Sequence, residues 1–148
     1  MARIFENAKI IRIVFLIKFG TKIDLRKPNL IFQSHFSPQN LQNMGVNKGD
    51  KVAFIAPNTH THLEGYYSIP QIGAVLVPIN YRLSADEFEY IINHSGSKVV
   101  CVHPDYFDAV DSIREKVLAV EQFVALEGKK DGWKEYERLL MNGDATYE

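Results

Sequence analysis

A chain of 148 residues with 46% hydrophobic and 24% charged content holds enough apolar side chain for one buried core. A net charge of −1 gives no basis for binding nucleic acid or an anionic membrane. The lone cysteine, Cys101, excludes an internal disulfide and a cysteine metal cage, and fits a reducing cytosol.

Charge is unevenly spread. Residues 1–50 carry eight Lys or Arg against three acids (Glu6, Asp24, Asp50), which from totals of 17 and 18 leaves nine against fifteen beyond. Ile10 to Phe19 suits a strand or a helix equally. Arg12 and Lys18 interrupt it and no small-residue cleavage site follows, so it does not read as a signal peptide. No run approaches the ~18 apolar residues of a membrane span, and the reading is cytoplasmic with no membrane span. Thr21 to His35 shows no sustained period. Ser37-Pro38 predicts an N-cap and first helical position, opening a short helix through Leu41–Met44 that stops at Gly45.

From Val46 the pattern becomes regular. Asn47 to Asp50 is a turn and Lys51–Ala56 a strand. After Pro57-Asn58 a helix is expected to begin near Thr59–Thr61, with Thr61 and Glu64 as a capping box. Leu63, Tyr66, Tyr67 and Ile69 are read as its apolar face, and Pro70 predicts a kink or break. Gly73 to His103 then reads as strand, helix, strand. Ala74–Ile79 is apolar apart from Pro78, Ser84 with Glu87 is a capping box, and Phe88, Ile91 and Ile92 recur at helical steps until Ser95-Gly96. Lys98–Val102 is β-branched again, completing a βαβ unit with parallel strands. Pro104-Asp105 opens a helix with Phe107, Val110, Ile113 and Val117 as its stripe. Gln122–Leu126 is a strand, and Gly132–Met141 a last helix with Trp133, Tyr136, Leu139 and Leu140 inward. The fold class is α/β: four strands alternating with four helices, the sheet mostly parallel.

Candidate chemistry is thin. Neither G-x-G-x-x-G nor G-x-x-x-x-G-K-[ST] occurs, and Ser95-Gly96-Ser97 is too short to wrap a phosphate. His60, His62 and Glu64 could suggest a metal, but residues two apart do not share a helical face, so exposed first-turn positions are the plainer reading. Cys101 and His103 share a strand face without a third orienting group, and a buried cysteine is the commoner case. Asn58 and Thr59 precede a helix N-terminus and read as caps rather than an anion site. Asn80-Tyr81-Arg82 ends a strand with a surface cation. The pairs Asp86/Glu87 and Asp108/Asp111 suit early helical turns and do not form an acid/base pair.

The stretch from Gly45 to Phe107 nevertheless resembles the N-terminal part of the AMP-forming acyl-CoA synthetases, which group with luciferases and peptide-synthetase adenylation domains. Ile72 to Asn80 (IGAVLVPIN) resembles the family's A-G-A-x-x-x-P-x-N, Gly49 to Ala53 (GDKVA) its G-D-R-V-A, and Asn93-His94-Ser95 the helix end of the fatty-acid branch. Gly132 to Glu137 is similar to the short helix before the adenylation loop. The resemblance divides the chain into an unassigned segment, 1–43, which departs from the family's T-Y-x-E-[LF] pattern, and a partial synthetase/ligase domain, 44–148. It implies an incomplete part of the large N-terminal domain of adenylate-forming enzymes. The family's phosphate-cradling loop is expected beyond Glu148, so no catalytic, cofactor-binding or metal residue of the family carries over. The resemblance implies ATP, Mg and CoA for the full-length family and no cofactor for this chain. The expected partner is a second chain or another copy, docked through an exposed sheet edge.

Overall fold

The computed structural model describes residues 38–136 and Arg138. Five strands, β1 (Lys51–Ile55), β2 (Val75–Ile79), β3 (Val99–Val102), β4 (Gln122–Ala125) and β5 (Lys134–Glu135), form one sheet in the order β2-β1-β3-β4-β5. Every pairing is parallel, with Val52 opposite both Leu76 and Val99 and Val100 opposite Phe123. The α-helices among the described residues are α1 (Pro38–Asn43), α2 (His60–Gln71), α3 (Ala85–Ser95) and α4 (Phe107–Asp111). The expected α/β architecture is therefore present, although β1 lies between the two strands of the predicted βαβ unit.

Alternation along the strands splits the core in two. Val52, Phe54, Val99, Cys101 and Val124 face Leu41 of α1 and Ile69 of α2. Ala53, Ile55, Val100, Val102 and Phe123 face Phe88 and Ile92 of α3 and Phe107 and Val110 of α4. Strands buried on both faces need continuous apolar runs, which is why β1 and β3 read that way. β2 differs. The Val75 N–H donates to the Asp50 carbonyl at 2.8 Å, so alternate residues Val75, Val77 and Ile79 turn their backbone toward β1. Pro78 then faces the open side, where its missing N–H costs no ladder bond.

Helix α3 starts as expected: the Glu87 carboxylate accepts both the backbone N–H and the hydroxyl of Ser84, each at 2.8 Å. Its C-terminus lies at Gly96. At the opposite edge of the sheet from the strand ends, Lys98 Nζ donates to the Gly45 carbonyl at 3.2 Å and pairs with Asp50 at 3.3 Å and Glu121 at 3.6 Å. Those contacts tie the loops before β1, β3 and β4 together.

Four expectations need correcting. In α2 the buried positions are Thr61, His62, Gly65, Ser68 and Ile69, while Tyr66 and Tyr67 stay about half exposed, at 50% and 46%. A Cβ on Gly65 would meet the Phe54 ring at 2.8 Å, so the helix approaches the sheet by its small side and turns its tyrosines away. Pro70 sits in the last turn of α2 without breaking it. The predicted 104–117 helix is three pieces: a 3₁₀ turn at Pro104–Tyr106, α4, and a second 3₁₀ turn at Arg114–Lys116, although its stripe of Phe107, Val110, Ile113 and Val117 is buried. Finally, Lys134–Glu135 is strand rather than helix. Trp133 and Tyr136 are both buried, but in the cores on opposite faces of the sheet, which one helical stripe cannot achieve. Leu139 and Leu140 lie outside the described residues.

Candidate functional site

The chain leaves β1 for β2 on one side and returns to β3 on the other, so the strand order reverses between β1 and β3. Ligands of open α/β sheets collect outside the carboxyl ends of the strands at such a point. Here that edge consists of Ala56 to Thr59 after β1, Asn80 to Arg82 after β2, and His103 to Tyr106 after β3.

His103 extends the ladder, its N–H donating to the Ile55 carbonyl at 2.9 Å. Its Nδ1 accepts the Asp105 N–H at 3.4 Å and lies 3.4 Å from the Asp105 carboxylate. The His103 and Tyr106 rings are 6.3 Å apart, the Tyr106 and Tyr81 rings 5.8 Å, and the Arg82 guanidinium lies 5.5 Å above the Tyr81 ring. Partial burial, with the neighbouring Asp105 carboxylate, pushes the Tyr106 hydroxyl above its ordinary range. The result is a row of flat rings ending in an exposed cation. Tyr106 was missed by sequence reasoning, because Tyr81 and Tyr106 are far apart in the chain and meet only through strand order.

The other sequence candidates scatter. Cys101 lies fully buried in the α1/α2-side core, and desolvation pushes its thiol well above its ordinary value. That thiol is a packing group rather than a nucleophile. His62 contradicts the exposed first-turn reading: it is 7% exposed and stacks between Phe54 at 5.4 Å and Tyr66 at 5.1 Å. Glu64 does not complete a capping box with Thr61; its carboxylate takes the Tyr136 hydroxyl. The side chain of His60 lies outside the described residues. Thr59 occupies the N-cap of α2, yet its hydroxyl pairs with that of Thr61 at 2.7 Å rather than with a backbone N–H. Asp108 and Asp111 hold Lys130 at 3.0 and 3.5 Å, and Glu87 is spent on its cap. Among the described residues no three His, Cys, Asp or Glu side chains group so as to hold a metal ion. The edge can therefore offer stacking surface and one cation, but its polar groups are not arranged as nucleophile, base and orienting group.

Residues 39–145 match the model of the family described as AMP-binding enzyme. The chain is 40% identical over 101 residues to a long-chain-fatty-acid–CoA ligase of Thermus thermophilus, covering 68% of this chain and 19% of that protein. It is 32% identical over 114 residues to a medium-chain-fatty-acid–CoA ligase of Ectopseudomonas oleovorans, covering 72% and 21%. This chain thus spans about a fifth of the length of these relatives. Among solved structures, the anthranilate CoA ligase AuaEII in complex with anthranoyl-AMP aligns with a TM-score of 0.72 at 25% identity, covering 78% of this chain and 23% of that one. The N-terminal domain of FACL13 from Mycobacterium tuberculosis aligns at 0.67 and 29%, covering 77% and 28%.

Proposed function

We propose, given that this chain belongs to the AMP-binding enzyme family, that it supplies the first sheet of an AMP-forming acyl-CoA ligase and does not catalyse acyl activation by itself. The parent reaction joins a carboxylic acid to ATP, giving acyl-AMP and pyrophosphate, and then forms the thioester with CoA. Fatty-acid substrates are the favoured class, a reading supported by the relatives named above. The observation that carries the scaffold role is the commitment of the polar groups to structure: Lys98 and Lys130 sit in ion pairs, Glu87 in a cap and Cys101 in the core. The described residues do not fit a magnesium site, lacking a converging set of carboxylates, and no step through a metal is assigned to them. Losing even one group that stabilises the developing charge costs about 10²–10³ in rate. We place the chain in the cytoplasm, on the single buried thiol; no helix among the described residues is long and apolar enough to cross a membrane.

The test is acyl-hydroxamate formation by the purified 148-residue polypeptide with ATP, magnesium and a fatty acid. No turnover above the protein-free background is expected, and saturable turnover would overturn the scaffold role. A second reading, a non-catalytic module docking with a chain that carries the rest of a split ligase, draws support from the half-exposed tyrosines of α2.

A further inference from the structure

We draw no further inference here: the strongest candidate, the cleft of about 280 Å³ at the amino ends of β4 and β5, carries nothing, because its Arg114 is engaged by the Phe123 ring at 5.6 Å and the Gly132 carbonyl at 3.4 Å, Glu115 and Glu121 line it along with Lys134, and nothing in the structure shows what would enter it.

Discussion

Phe88 tests whether α3 is seated on the sheet as described. It is fully buried and shares a core with Ile92, Ile79, Val100 and Trp133. Phe88→Ala removes the ring without a way for backbone held by the Ser84–Glu87 cap to collapse onto the space. Core Phe→Ala changes cost about 3–5 kcal/mol through lost transfer energy plus the residual cavity. That is a large part of the ~5–15 kcal/mol that holds a domain folded. With a urea m-value of ~1–3 kcal/mol/M, the midpoint should fall by at least about 1 M. The single Trp133 is the reporter, since it is buried against Phe123 at 5.2 Å and Phe107 at 5.1 Å and will emit differently once exposed. Leu118→Ala, at a side chain 90% exposed, is the control and should stay within ~0.5 kcal/mol. A loss below about 1 kcal/mol at unchanged m would show that α3 does not pack through Phe88, and the layer assignment would fall.

Gly73 has φ of +75°, and a Cβ there would meet Lys48 Cγ at 2.9 Å, so Gly73→Ala should cost more than ~1 kcal/mol, read from the same urea titration. Ser84→Ala should cost about 1 kcal/mol by removing the hydroxyl from the capping box. Hydrogen bonds from the Ser84 N–H and then its hydroxyl hold Glu87 below its ordinary 4.5, so its contribution is complete above that value and is lost as pH falls through the lower folded value. Midpoints measured across that acid range should therefore fall less steeply in Glu87→Gln than in the parent chain. Cys101 should react with a disulfide reagent such as Ellman's at the rate of unfolding, not at that of a free thiol, because burial both shields it and holds it protonated. Rapid labelling in the absence of denaturant would contradict the β3 placement.

Much of the fold was legible because its causes are local. Short apolar runs bounded by turn residues mark β1, β2, β3 and β4 to within a residue or two. The Ser84–Glu87 cap declares the start of α3 three residues apart in sequence. Family motifs such as GDKVA and IGAVLVPIN were legible for the same reason, being continuous in the chain. Strand order was not. Nothing within any strand says that β1 separates β2 from β3, because neighbours across a parallel sheet are chosen by packing of both faces at once.

Tertiary context also reversed three local preferences. Lys134–Glu135 gives up helix to satisfy the open edge of β4, splitting Trp133 and Tyr136 between the two cores. The stripe at 107–117 buries as predicted, but Pro104 and the 3₁₀ turns break the helix that was to carry it. In α2 the side-chain periodicity suited tyrosines facing inward, yet the Phe54 ring admits only Gly65 at closest approach. The sequence alone thus determined the strands β1 to β4, the start of α3 and the family, since propensity and motif act over a few residues. Only the tertiary structure decided which face of α2 meets the sheet and that Tyr81, Tyr106 and His103 share one edge, since those outcomes depend on atoms brought together from distant parts of the chain.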